Sequence, residues 1–268
     1  METFFSLLER RVEDCSSLLC VGLDPHSADL KENTAASALD FCLNLVRQTA
    51  PYAAAFKPNA AFFEVFGAEG WLALREVIES IAAESARLGS KIPVVLDAKR
   101  GDISSTAQAY AQSAFEHLGA DCVTLNPYLG KDSIEPFIAN SEKGVFLLCK
   151  TSNPGAADLQ DVMVNGTMPL YEHVARLAQQ WNARGNVGLV VGATQLNALA
   201  RVRAAAPNLW FLSPGVGAQG ADLGAALKNG LRKDGKGILL PVSRGISRAA
   251  DPARAAAELR DQILNLQP

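Results

Sequence analysis

The 268-residue sequence has few of the residue types that would indicate metal binding or disulfide bonding. It contains three histidines, His26, His117 and His173, and no two of them have the spacing of metal ligands on a helix. Each is interpreted as a surface or capping residue. The five cysteines form no Cys-x-x-Cys pair, and several lie in apolar, strand-like runs, as reduced structural thiols do. The sequence therefore predicts neither a metal site nor a disulfide framework.

The sequence also lacks an excess of charge of one sign and a long apolar run. Lys and Arg number 25 and Asp and Glu 28, so the formal net charge is −3 at pH 7. This balance gives no electrostatic reason to bind nucleic acid or an anionic membrane. No run approaches the roughly 18 apolar residues of a membrane helix, and charges interrupt the one candidate secretory core, within residues 1–17. We expect a cytoplasmic protein with a small-molecule partner.

Short runs rich in Val, Ile, Leu and Phe alternate with longer, Ala-rich amphipathic stretches. This alternation is typical of parallel strands connected by helices. The predicted strands are residues 17–24, 53–59, 92–99, 121–126, 144–151, 187–192, 209–214 and 237–243. The predicted helices are residues 34–49, 71–88, 104–117, 168–184, 195–205, 220–230 and 252–265.

Eight strand and helix units in about 250 residues match the size and repeat of a (β/α)₈ TIM barrel. Composition does not change abruptly along the chain, which favours a single domain over residues 1–268. An open doubly wound sheet is the alternative, because it shows the same alternation. Residues from about 156 to 170 have no firm periodicity and are interpreted as a long connection after the fifth strand.

Polar residues follow most of the predicted strands at the points where the strands end. In a barrel these ends converge on one mouth, where barrel enzymes place their active sites, and this weakly favours the barrel over the open sheet. Any one of these residues alone could simply cap or solvate a strand end. They are Asp24, Lys57, Asp97, Lys99, Asn126, Ser152, Ser213 and Arg244.

The densest group of charges is Asp97, Lys99, Arg100 and Asp102, at the end of an apolar run. Asp97 and Lys99 are two residues apart, so on a strand they share a face. A carboxylate beside an ammonium favours the charged form of both, and Lys99 is therefore expected to stay protonated and donate a proton. A Schiff-base lysine would need the opposite environment. A strand-end ion pair without catalytic function is the alternative.

A second group combines the segment 213–220 with Ser243, Arg244 and Gly245. The loops after strands seven and eight of a barrel commonly hold a phosphate, which glycine-rich backbone and an arginine bind well. The glycines of this segment also spell G-x-G-x-x-G, as in a dinucleotide-binding site. The next strand, however, ends without the acidic ribose ligand of such sites, and we favour the phosphate interpretation.

The motif Asp97-x-Lys99-x-x-Asp102, followed by Ile103 and Thr106, resembles the catalytic signature of the orotidine 5′-phosphate decarboxylase family. The form DAKRGDI resembles that of one bacterial subgroup. Five further segments occur in the order of the family, so the resemblance spans nearly the whole chain. They are VGLDP (21–25), FKPN (56–59), TSNPGA (151–156), SPGVGAQG (213–220) and VSRGI (242–246).

The resemblance implies a (β/α)₈ barrel that acts as a homodimer and needs neither metal nor organic cofactor. The implied reaction converts orotidine 5′-monophosphate (OMP) to UMP and CO₂ in pyrimidine biosynthesis. Lys99 would protonate the carbanion at C6, and Asp97 would lie near the departing carboxylate. Lys57 would bridge Asp97 and a ribose hydroxyl. Asp102 and Thr106 would be contributed across the dimer interface.

The remaining implied residues bind substrate. Asp24 matches the ribose-hydroxyl ligand, Ser152 the pyrimidine-edge contact, and Gln219 and Arg244 the phosphate ligands. Pro214 and Ser243 complete the implied substrate-binding set.

Two other functions remain open on the sequence alone. A Mg²⁺-dependent sugar-phosphate decarboxylase or aldolase of the same barrel superfamily resembles this chain in its Asp-x-Lys-x-x-Asp strand. A catalytically silent barrel that senses a nucleotide phosphate would need Arg244 and Gln219, but it would leave the charged group around Lys99 without a role.

Overall fold

The computed structural model describes residues 2–216 and 222–267, and its centre is a barrel of parallel strands. All eight predicted strands are present. They are β1 (Leu19–Leu23), β2 (Ala55–Pro58), β3 (Val95–Arg100), β4 (Cys122–Leu125), β5 (Gly144–Lys150), β6 (Val187–Val191), β7 (Phe211–Leu212) and β8 (Ile238–Val242).

Each barrel strand pairs in parallel with its neighbours in chain order, and β8 returns to pair with β1. The circle is completed between β2 and β3, where Phe56 pairs with Val94 and Asn59 pairs with Asp97. An open doubly wound sheet would leave two unpaired edges. The barrel prediction is therefore confirmed, and the open-sheet alternative is wrong.

Helices surround the barrel between successive strands, and every predicted helix is present with its ends shifted by a few residues. None of the helices in the described ranges combines the length and apolar character that a membrane crossing requires. Helix α5 continues into a π-helical turn over Ser113–His117. The helices are α1 (Phe4–Cys15), α2 (Ala35–Thr49), α3 (Ala61–Glu64), α4 (Gly67–Leu88), α5 (Ser104–Gln112), α6 (Glu135–Ile138), α7 (Ala157–Gln160), α8 (Leu170–Trp181), α9 (Leu196–Ala205), α10 (Leu223–Gly230), α11 (Arg244–Ser247) and α12 (Pro252–Leu266).

Helix α1 was not predicted, and it packs across the amino-terminal end of the barrel. The Phe4 ring is fully buried and lies directly over Gly144 at the start of β5. Phe5 stacks on Trp210, immediately before β7, with ring centroids 6.3 Å apart. The sequence signal was available, because buried Phe4, Leu8 and Val12 recur every four residues after the Thr3 N-cap.

The segment after β5 has more structure than the sequence indicated. It contains α7 and a short antiparallel hairpin that pairs Met163–Val164 with Met168–Pro169. Asn165 and Gly166 at its tip have φ angles of 51° and 66°, as a type I′ turn requires. The dipeptide Asn-Gly is the signal that predicts such a turn. Helix α8 therefore begins at Leu170 rather than at the predicted position 168.

The five cysteines are all buried and carry free thiols. Burial raises the pKa of Cys15 to about 11 and that of Cys20 to about 12. Thiols with such pKa values are almost entirely protonated near neutral pH, and they are poor nucleophiles. The structure therefore gives Cys15 and Cys20 the character of small apolar core residues.

Truncation of Phe4 tests the contribution of α1 to stability. Phe4→Ala should lower the free energy of unfolding by about 3–5 kcal/mol, because it removes a fully buried ring and leaves a cavity over Gly144. Urea denaturation followed by circular dichroism measures the loss. Leu72→Ala, at a side chain that is 55% exposed on α4, is the control and should change stability by less than about 0.5 kcal/mol. A similarly small loss for Phe4→Ala would contradict the packing of the Phe4 ring against the barrel.

Candidate active site

A cavity of about 320 Å³ opens at the carboxyl end of the barrel. It lies near the lower limit of volumes that hold small ligands. Asp24 reaches it from the end of β1 and Lys57 from β2, whereas Pro214, Ser243 and Arg244 follow β7 and β8. Five of the residues singled out from the sequence therefore surround one cavity, because parallel barrel strands all end at the same rim.

An array of alternating charges begins at Lys57 on β2, which lines the cavity, and continues to Asp97 and Lys99 on β3, which do not line it. Lys57 Nζ lies 3.1 Å from Asp97 Oδ2, and Lys99 Nζ lies 2.6 Å from Asp97 Oδ1. The side chains of Lys57 and Asp97 are 10% and 12% exposed, whereas that of Lys99 is 51% exposed. One carboxylate therefore holds two ammonium groups, and the second of them is accessible to a ligand.

The array favours its own ionised state. Burial raises the pKa of Asp97, but Lys57 and Lys99 lower it by more, and its net pKa lies well below the usual range. Burial likewise lowers the pKa of Lys57, but the Asp97 and Asp24 carboxylates outweigh this effect and raise its pKa above the ordinary value. Neither group changes its charge near neutral pH, and the site carries fixed charges before any ligand enters.

Asp24 lines the cavity, and one oxygen of its carboxylate is unsatisfied. Its Oδ2 accepts a hydrogen bond from Ser243 Oγ, whereas its Oδ1 is buried and has no hydrogen-bond partner among the described residues. A Cβ atom at Gly22 would lie 2.1 Å from Ser243 Oγ, so a side chain there would displace Ser243. An unpaired buried acceptor costs free energy, so a hydrogen-bond donor that reached this oxygen would stabilise the site.

Sequence reasoning missed two residues that contribute to this region. His26, interpreted above as a surface or capping residue, lines the cavity with Phe62, and their ring centroids are 4.4 Å apart. The position of His26, two residues after Asp24 at the same strand end, was the available signal. Thr124 on β4 donates a hydrogen bond to Asp97 Oδ1 at 2.9 Å. Thr124 lies in an apolar run, and a single threonine there gave no signal.

Ser152 lies at the same end of the barrel but does not line the cavity. It follows β5 and packs against Gly192 after β6, where an added Cβ would lie 3.2 Å from Ser152 Cβ. Gln219 lies outside the described residues, as do two of the three glycines of the G-x-G-x-x-G pattern. Gly215 is described, and it lines the cavity with a φ angle of 120°.

Asp102 and Thr106 do not line the cavity of their own chain. Asp102 Oδ1 accepts a hydrogen bond from the Ile103 backbone N–H at 2.8 Å, and Thr106 is exposed on the first turn of α5. Ile103, between them, is 50% exposed. The two residues are therefore close to Lys99 in sequence but outside the cavity, with Thr106 exposed and Asp102 half-buried.

The fold and this site together define the class of protein. A parallel (β/α)₈ barrel with a preformed charged array at the carboxyl ends of its strands is the arrangement of barrel enzymes. A family profile described as "Orotidine 5'-phosphate decarboxylase / HUMPS family" matches residues 17–259. The chain belongs to this family.

Individual relatives agree with the family match. The orotidine 5′-phosphate decarboxylase of Roseiflexus castenholzii is 47% identical over 97% of each chain. A solved structure of Leishmania donovani OMP decarboxylase is 56% identical, covers 98% of each chain and has a TM-score of 0.89. The structure of Leishmania donovani UMP synthase is 57% identical with a TM-score of 0.91, and the similarity covers 99% of this chain and 57% of that one.

The lowered pKa of Asp97 predicts a pH dependence of stability. The ionised carboxylate stabilises the fold above its unfolded pKa of about 3.9, and this contribution is lost as the pH falls toward the folded pKa. Asp97→Asn should therefore flatten the decrease in unfolding free energy between about pH 4 and pH 2. At pH 7 it should destabilise the protein by about 3–5 kcal/mol, since it leaves the buried Lys57 unpaired.

Urea denaturation of Asp97→Asn and the wild type at half-unit pH steps measures both effects. Asp40→Asn, at an exposed position on α2, is the control and should leave the pH profile unchanged. A profile for Asp97→Asn that stays parallel to the wild type down to pH 2 would show that the pKa of Asp97 is not lowered.

Proposed function

We propose that the chain, acting as one domain over residues 1–268, converts OMP to UMP and CO₂, and that Lys99 donates a proton to C6. The observation that carries this proposal is the Lys57–Asp97–Lys99 array, whose Lys57 lines the cavity. The relatives named for the same reaction support it over nearly the full length of the chain. They do not favour a Mg²⁺-dependent sugar-phosphate enzyme.

Substrate binding is proposed to use the two ends of the cavity differently. Arg244 is exposed at the rim after β8, and its guanidinium can bind the phosphate bidentately, together with backbone N–H groups near Gly215. Asp24 accepts a hydrogen bond from a ribose hydroxyl through its unpartnered Oδ1. This orientation places the pyrimidine toward the array, with Ser152 at its edge and Pro214, Ser243 and Gln219 around the remaining nucleotide.

The chemical step breaks the bond between C6 and its carboxylate. The bonding electron pair stays on C6, CO₂ leaves, and the Lys99 ammonium transfers one proton to C6. Asp97 lies beside the departing carboxylate and holds Lys99 within 2.6 Å. Because Lys57 keeps Asp97 ionised and oriented, the charges that meet the developing carbanion are already in place.

The active unit is proposed to be a homodimer in which Asp102 and Thr106 complete the site of the partner. Three observations support this arrangement: both residues lie outside their own cavity, they follow Lys99 closely, and the neighbouring Ile103 and the Tyr128–Leu129 segment after β4 expose apolar side chains. Ile103, Tyr128 and Leu129 are 50%, 75% and 48% exposed, and a second copy of the chain would cover them.

An assay that monitors the loss of OMP by ultraviolet absorbance tests both the function and the role of Lys99. The wild type should be active, and EDTA should not abolish its activity. Lys99→Ala should lower kcat by about 10²–10⁴-fold or more, because the proton donor is lost. Calorimetry should show that it still binds UMP, since the phosphate and ribose contacts remain. Lys228→Ala, at an exposed residue of α10, is the control and should retain wild-type activity.

Substantial turnover by Lys99→Ala would exclude the proposed role of this lysine. Activity that requires a divalent metal would instead favour the sugar-phosphate enzyme. If the wild type binds nucleotide but leaves OMP unchanged, the catalytically silent barrel that senses a nucleotide phosphate would be favoured.

Mixed dimers test whether the site is shared. Lys99→Ala and Asp102→Ala should each be inactive, but a heterodimer of the two would contain one intact site. Random exchange of subunits between equal amounts of the two variants should restore about a quarter of the wild-type activity. Half of the dimers would be mixed, and each mixed dimer would have one working site of two. Mixing Lys99→Ala with Asp97→Asn is the control and should restore nothing, because both changes fall in the same half-site. Absence of recovery after demonstrated subunit exchange would contradict sharing.

A further inference from the structure

The strand that carries the charged array is distorted where Asp97 and Lys99 lie. Leu96 on β3 pairs with Val123 on β4, but the next pair joins Arg100 to Leu125. Four steps along β3 therefore correspond to two along β4, and the residues between Leu96 and Arg100 form a bulge. Bulges of this kind redirect side chains and are frequent beside active sites.

Within this bulge, Lys99 has a φ angle of 48°. This left-handed conformation is unfavourable for a residue with a long side chain, and it persists only where surrounding structure holds it. Packing does not supply the restraint, because the Lys99 side chain is 51% exposed. The direction of its ammonium group therefore depends on the backbone and on Asp97.

The hydroxyl of Thr124 on β4 supplies that restraint. Its Oγ1 accepts hydrogen bonds from the backbone N–H groups of Ala98 and Lys99, each at 3.0 Å. The same hydroxyl donates to Asp97 Oδ1 at 2.9 Å, the oxygen that also binds Lys99 Nζ. Thr124 is 1% exposed, so water does not compete for these bonds.

These three hydrogen bonds occupy every donor and acceptor site of the hydroxyl, which has one proton to donate and two lone pairs to accept. Because both acceptor sites are occupied by N–H groups, the proton must point to the carboxylate. Removing the hydroxyl would leave two backbone N–H groups of the bulge without their partner and take one donor from Asp97.

We propose that Thr124 is a positioning residue for the decarboxylation, acting through the backbone of Lys99 and the carboxylate of Asp97. The inference rests on the proposed function. The inference adds to the proposed function a group outside the charged array, which determines where the Lys99 ammonium group points. Thr124 itself need not touch the substrate.

Substitutions that separate the hydroxyl from the volume of the side chain test the proposal. Thr124→Val keeps the shape and removes the hydroxyl, Thr124→Ser keeps the hydroxyl, and Thr124→Cys substitutes a thiol, which is a weak donor and acceptor. We expect kcat to fall about 10- to 100-fold in Thr124→Val, by less in Thr124→Cys, and by under about threefold in Thr124→Ser. KM for OMP and Kd for UMP should stay within about twofold, since the nucleotide contacts lie elsewhere.

A matched control is Thr49→Val on α2. Thr49 is fully buried, and its hydroxyl donates only to the Leu45 carbonyl within the same helix. This variant should keep the wild-type kcat. If Thr124→Val does not fold, the comparison of Thr124→Cys with Thr124→Ser decides the question.

Hydrogen exchange gives a readout that does not depend on turnover. The amides of Ala98 and Lys99 should exchange faster in Thr124→Val than in the wild type or Thr124→Ser. Equal kcat values for Thr124→Val and Thr124→Ser, or unchanged exchange at these two amides, would overturn the inference. An inactive wild type would instead refute the proposed function, and the exchange result would still report whether Thr124 restrains the bulge.

Discussion

The carboxylate of Asp97, shared between two lysines, is the interaction on which the rest of the site depends. A largely buried carboxylate is stable only with cationic partners, and Lys57 and Lys99 provide them from two neighbouring strands. The balance of burial and attraction lowers the pKa of Asp97 and raises that of Lys57. The protein thus maintains a set of fixed charges at neutral pH, which are already in place before any ligand binds.

The barrel makes this arrangement possible by bringing β2 beside β3. Asn59 and Asp97 form the bridge that completes the circle of strands, so the last closure of the sheet lies at the charged array itself. At the opposite end, α1 covers the barrel with Phe4 and Phe5. The packing of α1 and the proposed active site therefore lie at different ends of the same strands, as is usual for this fold.

The array and the Asp24 carboxylate in the cavity differ in how completely their oxygens are satisfied. Both oxygens of Asp97 have partners within the chain, whereas Asp24 Oδ1 has none among the described residues. The first group is suited to act without rearrangement, and the second is suited to receive a ligand. This contrast is consistent with the proposal that Asp97 takes part in the chemical step and Asp24 in binding.

The alternation of apolar runs by itself determined the eight strands and the main helices, because burial on both faces of a parallel strand leaves a strong local pattern. The spacing of Asp97 and Lys99 likewise determined that the two share a strand end. Only the tertiary structure decided that Thr124 hydrogen-bonds to Asp97, because this contact joins two strands and depends on their register. It also decided the left-handed backbone at Lys99, since a strained conformation is set by the surroundings that hold it and not by the residue's own preference.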